Sequence, residues 1–212
     1  MRLSELSEHT GVPTATIKYY LREGLLRPGR TISATKAEYG DEHVRRLRLI
    51  RALVQVGRMP LATAREVLAA VDDDTLDQHA RLGAATWALP NGTEPGDDAA
   101  TATAHRIVDD LLRELGWDLG EKAAGRSPAH RTLVASVAAL GRLGYPCDVT
   151  TLLPYARAAA GIAAHDLDLI EPYERPADQV EAAVAMTVLY EPVLLSLRRM
   201  AHAEESLHRH AR

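Results

Sequence analysis

The start of the chain predicts two short helices joined by a tight turn, and this feature constrains the fold most strongly. Leu3 and Leu6 are spaced to face inward on the first helix, and Ser4 can cap its start. Gly11 supplies the positive φ that a sharp helix end requires. Residues 2 to 30 therefore predict a helix-turn-helix.

The second helix of this pair has a polar face that we expect to point to solvent. Ile17 and Leu21 lie four residues apart on its buried side, and Gly24 follows its end. A helix of this size fits the major groove of DNA, and its polar side chains suit phosphates and base edges. One of the two adjacent tyrosines is expected in the core. The predicted outward residues are Thr14, which can also cap the helix, Thr16, Lys18, Tyr19 and Arg22.

A hairpin and two more helices are predicted next. Thr31, Ile32, Ser33 and Thr35 favour extended backbone, which predicts a two-stranded hairpin after the second helix. Apolar residues then recur at helical spacing over residues 41 to 56 and again over 61 to 71. A turn at residues 57 to 60 separates these two helices.

The segment TIKYYLREGLLRPGR resembles the recognition helix and following turn of the MerR family of bacterial transcription regulators. The resemblance continues through Tyr39 and the Arg46-Leu47 pair and covers about residues 1 to 71. It implies a winged helix-turn-helix whose hairpin is the first wing and whose second helix pair is the second wing. The DNA-contacting residues that it implies, together with the outward face, are Ser4, Thr14, Thr16, Lys18, Tyr19, Arg22, Arg30, Lys36, Tyr39, Arg51 and Arg58.

The first wing departs from the family pattern. The family usually has Gly-Tyr-Arg shortly before the tyrosine that matches Tyr39, whereas this chain has Thr35, Lys36 and Ala37. The wing tip thus lacks an arginine and an aromatic residue, so Arg30 and Lys36 would have to supply its phosphate contacts.

The charge distribution supports a nucleic-acid surface in this first segment. Residues 1 to 71 hold 12 Lys and Arg against 7 Asp and Glu, whereas the remainder holds 13 against 22. A basic head on an acidic body attracts DNA to the head and repels it from the body. Only 3 of the 25 basic residues are lysine, which is typical of GC-rich coding and favours a bacterial source.

Residues 72 to 98 predict a short helix and a flexible linker. The family usually continues here into a long helix that pairs with its partner to form a dimer. This chain offers about four turns, over residues 75 to 89, before prolines and glycines interrupt the pattern. The dimer is therefore made either by this weak helix or by the C-terminal part of the chain.

Residues 99 to 212 predict a helical domain for effector binding, dimerisation or both. Its final helix, expected from Asp178 to His202, is apolar almost all round and must be buried within the domain or between subunits. This half faintly resembles the ligand-binding and dimerising half of TetR-type regulators, and Glu191 is the carboxylate expected to be buried. The candidates for an effector pocket are Trp117, Tyr145, Tyr155, Tyr190 and Glu191.

Other functional classes find little support in the sequence. A single cysteine, Cys147, excludes an intramolecular disulfide and a cysteine-rich metal site. The histidines and glutamates of residues 202 to 210 are typical of a solvated tail, so we expect no metal and no cofactor. No nucleophile elbow, phosphate loop or zinc-protease motif is present, and we expect no enzyme. The absence of a signal peptide predicts a cytoplasmic protein, and Glu191 with Pro192 argues against a membrane span.

The sequence as a whole predicts a mainly α fold, a winged helix-turn-helix with a small β-hairpin followed by a helical bundle. The predicted function is a homodimeric regulator that binds a pseudo-palindromic promoter site on double-stranded DNA. The resemblance adds distortion of the promoter spacer in response to a small-molecule effector, which affects RNA polymerase indirectly. The alternatives are an architectural DNA-binding protein without effector control and an enzyme domain fused to a DNA-targeting head.

Overall fold

The computed structural model of the chain describes residues 1–33, 36–90, 92–117 and 127–210. Helices dominate it, with one two-stranded antiparallel hairpin near the N-terminus. In the first part of the chain the elements are α1 (Leu3–Thr10), α2 (Thr14–Arg22), β1 (Arg30–Ser33), β2 (Lys36–Glu38), α3 (Asp41–Arg51), a π-helical segment (Ala52–Val56) and α4 (Leu61–Val71). These are followed by α5 (Gln78–Trp87), α6 (Ala99–Glu114), α7 (Pro128–Arg142), α8 (Val149–Ile170) and α9 (Pro176–His210).

The chain forms two compact units. The first combines residues 1–88 with residues 170–212, and the second comprises residues 89–169. This division differs from the single domain predicted for residues 99 to 212. The reason is that the N-terminal half of α9 packs against α3, the π-helical segment and α5, a long-range pairing that local sequence patterns do not encode.

The core of the first unit is built from side chains that the helical periodicity selected. Leu6, Ile17, Leu47 and Ile50 are fully buried where α1, α2 and α3 meet. Val180, Val184 and Val188 recur every four residues on α9 and extend this core. Burying this stripe removes apolar surface from water and holds α9 on the head.

The second unit has a small apolar core between α6 and α7, formed by Ala104, Val108, Val134, Val137 and Ala138. Ser127 caps α7, since its hydroxyl accepts a hydrogen bond from the His130 amide. Asp98 caps α6 and also accepts two hydrogen bonds from Arg142, both of 2.9 Å. These contacts lower the pKa of Asp98 well below its usual range.

The starts of the first two helices differ from the predictions. Helix α1 begins at Leu3, so Ser4 is inside its first turn, and the Glu5 carboxylate accepts the Arg2 amide at 2.7 Å. Helix α2 begins at Thr14 after Pro13, and no side-chain cap is present there. Proline fixes its own φ near the value that this entry to the helix needs, which favours a helix start at this point. The predicted left-handed glycines are confirmed, with φ of 67° at Gly11 and 73° at Gly24.

The two last helices are long. Helix α8 runs through Pro154, from Val149 to Ile170. The last helix runs from Pro176 to His210, longer than the predicted 178 to 202. Its residues from Leu189 onward are exposed, so within this chain it is not buried on several sides. Burial between subunits remains the other prediction for this segment.

Candidate nucleic-acid interface

The exposed face of α2 carries the polar side chains that the sequence predicted. Thr14, Lys18 and Arg22 are exposed, and Thr16 is half-buried. The two adjacent tyrosines separate as expected, because Tyr20 is buried while Tyr19 is 37% exposed. The Arg22 guanidinium lies 5.2 Å from the centre of the Tyr19 ring, which holds both side chains together on the outer face.

The turn before α2 is fixed by short polar contacts. The Ser7 hydroxyl donates to the Val12 carbonyl at 2.6 Å, and the Thr10 hydroxyl donates to the Leu6 carbonyl at 2.7 Å. Arg51 donates from Nη1 to the Thr10 carbonyl at 3.0 Å. Arg51, a predicted DNA contact, therefore already donates a hydrogen bond to a free carbonyl at the C-terminus of α1, and this bond helps to position the turn. Ser4 is exposed in the first turn of α1.

The hairpin exposes both of its predicted phosphate-binding residues. Arg30 in β1 pairs opposite Glu38 in β2, and the two side chains form an ion pair. The hydrogen bond from Arg30 lowers the pKa of the Glu38 carboxyl, which stays ionised and competes with a phosphate for that arginine. Lys36 is exposed. Thr35, predicted to extend the strand, lies outside the described residues.

Tyr39, another predicted DNA contact, is largely buried. It is only 6% exposed, and its ring packs edge to face against His43 with the ring centres 5.0 Å apart. Its backbone bonds to Met1 in both directions, with each distance 2.8 Å. These backbone bonds tie the N-terminus to the base of the hairpin, and a DNA contact by Tyr39 stays a prediction.

The turn between the π-helical segment and α4 presents Arg58. Its side chain is exposed, and its φ of 50° is the one positive value among the non-glycine residues that the structure describes. The free amides at the start of α4 follow within three residues, and helix N-termini favour anions. Arg65 on α4 donates to the Glu23 carbonyl at 3.2 Å, which braces the end of α2 against this helix.

A buried ion-pair network behind this interface was not predicted. Arg46, 7% exposed, contacts Asp72 at the end of α4 and lies 3.4 Å from Glu181 on α9. Arg27, which directly follows the buried Leu26, lies 3.5 Å from the same Asp72. Glu181 follows the buried Val180 directly and precedes Val184 by three residues, and this position on the apolar stripe is the signal that could have revealed its burial.

The residues predicted to line an effector pocket are all exposed. Trp117, Tyr145 and Tyr155 belong to the second unit, whereas Tyr190 and Glu191 belong to the first, on α9. Glu191 was expected to be the buried carboxylate, but Glu181, ten residues earlier, is in that position. Glu191 lies beyond the last core valine of α9, which explains its exposure.

Comparison with known proteins agrees with this geometry. Residues 1–71 match the model of the MerR HTH family regulatory proteins. A crystal structure of SCO5550, a proposed transcriptional regulator from Streptomyces coelicolor A3(2), is 53% identical to the chain, with a TM-score of 0.87. The similarity covers 99% of this chain and 98% of that one. The chain belongs to the MerR family of transcription regulators. No curated protein sequence matches it.

Membership of the MerR family confirms the predicted fold and the DNA-binding character of the head. The faint resemblance of the C-terminal part to TetR-type regulators stays a prediction. No group of three or more potential metal ligands occurs in residues 1–33, 36–90, 92–117 and 127–210. In the C-terminal tail, the His208 ring lies 3.2 Å from Glu204 one turn away, and both side chains are exposed.

Proposed function

We propose that this MerR-family protein binds a pseudo-palindromic promoter site on double-stranded DNA as a homodimer. The observation that supports this most directly is the outer face of α2, where Lys18, Tyr19 and Arg22 are exposed on a helix whose opposite side is buried. Lysine and arginine on such a helix can contact guanine edges and phosphates in the major groove. We propose that Arg30, Lys36 and Arg58 hold the flanking phosphates.

The proposed dimer uses the exposed half of α9. From Met186 onward, apolar residues recur at alternating spacings of four and three, which is the heptad pattern of a coiled-coil seam. Most of these side chains are between 44% and 67% exposed, so the seam lacks a partner within the described chain. A second copy of α9 would cover it. The seam positions are Met186, Tyr190, Val193, Leu197, Met200, Glu204 and Leu207, of which Glu204 is the one charged residue.

Helix α5 is a weaker candidate for the dimer contact. It has ten residues, and it already packs against α4 and α9 inside the first unit. The part of α9 that precedes the seam is anchored in the head, so pairing two copies of α9 would fix the separation of the two heads. Such a spacing is what a regulator needs to read two half-sites.

Helix α9 is also long and apolar enough to cross a bilayer by length and composition. The buried valines of its first half and the charged Glu191, Arg198 and Arg199 of its second half favour a protein partner over lipid. We therefore propose a cytoplasmic protein, as is expected of a transcription regulator, and one that is not an enzyme.

The proposed regulation follows the family mechanism. The dimer would bind an over-long promoter spacer and distort it once an effector is bound, so that RNA polymerase can engage both promoter elements. DNA distortion is costly, and the contacts of both wings would have to hold it. The ion pairs from Arg46 to Asp72 and Glu181 link α3, α4 and α9, and would carry movement of α9 to the head.

The test is a titration of the DNA upstream of the chain's own gene, with the full-length protein and a scrambled duplex for comparison. Lys18→Ala and Tyr19→Ala are expected to abolish specific binding and to leave the fold intact, because both side chains are exposed. Tyr145→Ala is the matched control, since that tyrosine is also exposed but lies in the second unit. Normal binding by both α2 variants would place the DNA surface elsewhere. If the wild type binds both duplexes equally, autoregulation is excluded. The operator would then have to be sought across the whole genome.

A further inference from the structure

A cleft of about 570 Å³ lies inside the first unit, behind the recognition helix. It is bordered by the turn after α2, by α3 and by the N-terminus of α9. This volume is within the usual range of small-molecule sites. Its polar lining comprises five arginines, four carboxylates and one histidine, His43.

His43 lines this cleft and carries a buried ring nitrogen without a hydrogen-bond partner among the described residues. The ring is 6% exposed, and its Nδ1 lies 3.0 Å from the Gly40 amide, which can only donate. The neutral ring therefore carries its proton on Nε2. The Glu42 carboxylate lies 3.0 Å from the same Nδ1 atom. With the tautomer set by the Gly40 amide, Nε2 is a buried donor, and it has no hydrogen-bond partner among the described residues.

Arg46 adds a second buried donor atom that has an ionic contact but no hydrogen bond. Its Nη2 is engaged by Asp72, but its Nη1 is buried without a hydrogen bond, although the Glu181 carboxylate lies 3.4 Å away. A buried guanidinium donor left without a hydrogen bond costs free energy. An oxygen atom of a ligand in the cleft would remove this cost for Arg46 and His43 together.

The surrounding charges favour a negative ligand. Four arginines (Arg27, Arg45, Arg46 and Arg175) line the cleft against the carboxylates of Asp72, Asp178 and Glu181, while Arg30 and Glu42 offset each other in charge. Asp72 and Asp178 are each contacted by two of these arginines. Burial raises the pKa of Glu181 to about 7, so part of its negative charge is absent at neutral pH. The N-terminus of α9, with Ala177 lining the cleft, adds the positive end of a helix dipole.

We propose that this cleft is an effector site for a small organic anion that carries a phosphate or carboxylate group. The anionic group would accept hydrogen bonds from His43 Nε2 and Arg46 Nη1, and the rest of the molecule would occupy the remaining volume. The site touches the turn that follows α2 and the start of α9, so its occupation would couple the DNA-reading helix to the dimer helix. This inference rests on the proposed regulatory function.

The first experiment titrates inorganic phosphate into the full-length protein at pH 7 by calorimetry, without DNA and with ionic strength held constant by NaCl. His43→Asn keeps an acceptor at the Nδ1 position but removes the Nε2 donor, and it is expected to weaken phosphate binding about tenfold or more. His43→Gln restores a donor near Nε2 and is expected to bind within about threefold of wild type. The matched control is His79→Asn, since His79 is exposed on α5 and does not line the cleft.

A second arm separates the cleft from the DNA surface, which also binds phosphate groups. Lys18→Ala is expected to bind free phosphate as the wild type does. Should His43→Asn fail to fold, Arg175→Ala at the exposed rim carries the test and is expected to weaken phosphate binding severalfold. Absence of phosphate binding by the wild type would overturn the proposal. Equal binding by all variants, or its loss in Lys18→Ala alone, would do the same. Operator binding is measured in phosphate-free buffer, so failure of the regulator proposal is seen separately.

Discussion

Burial dominates the chemistry of Glu181. Its carboxyl lies on the buried side of α9, and desolvation raises its pKa from 4.5 to about 7, against the attraction of Arg46 and with added repulsion from Asp72 and Asp178. Arg175 favours the charged form less strongly. Between these two pKa values the folded state holds a proton that the unfolded state has lost. Stability therefore falls as the pH rises from about 4.5 to about 7.

Glu181→Gln removes this titration. The variant is expected to match wild type near pH 4.5 and to exceed its free energy of unfolding above pH 7, by at most roughly 3 kcal/mol. The measurement is urea denaturation at several pH values, followed by Trp87 fluorescence in a Trp117→Phe background so that only the first unit reports. Glu8→Gln, at an exposed position on α1, is the matched control. A difference between Glu181→Gln and wild type that does not vary with pH would contradict the assignment.

The wing charges give a second prediction at single residues. Lys36 is exposed, so Lys36→Ala is expected to weaken operator binding and to lower the slope of log affinity against log salt by about 0.9. Glu38→Gln releases Arg30 from its ion pair, and is expected to raise the affinity and steepen the slope. Fluorescence anisotropy at several salt concentrations measures both effects.

Glu8→Gln again serves as the control for Glu38→Gln, because it removes the same charge from an exposed site that bears no ion pair to Arg30. If both glutamine variants change the affinity equally, the effect is one of net charge alone. If Lys36→Ala leaves the salt dependence unchanged, the first wing does not contact a phosphate.

The individual elements of the head could be predicted from local patterns. Ile17 and the leucines of α3 marked buried faces, and Gly11 and Gly24 marked helix ends, because each signal acts within a few residues. Capping was less predictable. Ser4 and Thr14 are good capping residues, but Glu5 and Pro13 set the actual helix starts, since several neighbours could serve.

The crossing of α9 over the π-helical segment depends on Gly57. A Cβ atom at this residue would lie 2.7 Å from Val188 Cγ1 and 2.8 Å from the Leu53 carbonyl oxygen. Gly57→Ala must therefore displace α9 or the turn, and we expect a loss of about 1 to 3 kcal/mol in the free energy of unfolding. Urea denaturation followed by Trp87 fluorescence measures this, since Trp87 ends α5, which packs against α9.

Gly83→Ala is the matched control for this crossing. Gly83 lies inside α5, and a Cβ there meets no atom within 4 Å. Alanine also favours a helix over glycine, so this variant is expected to be more stable than wild type by up to about 1 kcal/mol. If Gly57→Ala is as stable as Gly83→Ala, the close approach of α9 to the turn is not present in solution.

At the scale of the whole molecule, the arrangement of α9 was beyond sequence reasoning. Its apolar character was visible, but whether Val180 packs inside the chain and Leu197 outside it depends on which distant surfaces meet. The pocket candidates were likewise chosen without knowledge of tertiary contacts, and they fall in both units. Residues such as Tyr145 and Tyr155 were chosen as pocket-lining candidates only because they are aromatic. The polar side chains that are largely buried are instead His43, Arg46 and Glu181, which come from α3 and α9. Only the tertiary contact brings those together.

The proposed dimer can be tested at two neighbouring leucines of α9. In the heptad of the proposed seam, Leu197 occupies a position facing the partner helix, whereas Leu195 falls on the opposite side. Both are exposed in the single chain, at 57% and 46%. Leu197→Arg is expected to convert the dimer to monomer, because it would bury a charge in an apolar seam. Leu195→Arg is expected to leave the dimer intact.

Sedimentation velocity distinguishes these outcomes, and the same samples are then titrated with operator DNA. A monomeric Leu197→Arg chain holds only one recognition helix, so it should lose the high-affinity complex while Leu195→Arg keeps it. A wild-type chain that sediments as a monomer and floats with phospholipid vesicles would mean that the exposed half of α9 meets lipid. If both arginine variants are monomers, both faces of α9 take part in the subunit contact, as in a bundle of more than two helices. A two-stranded seam would leave Leu195 outside the contact.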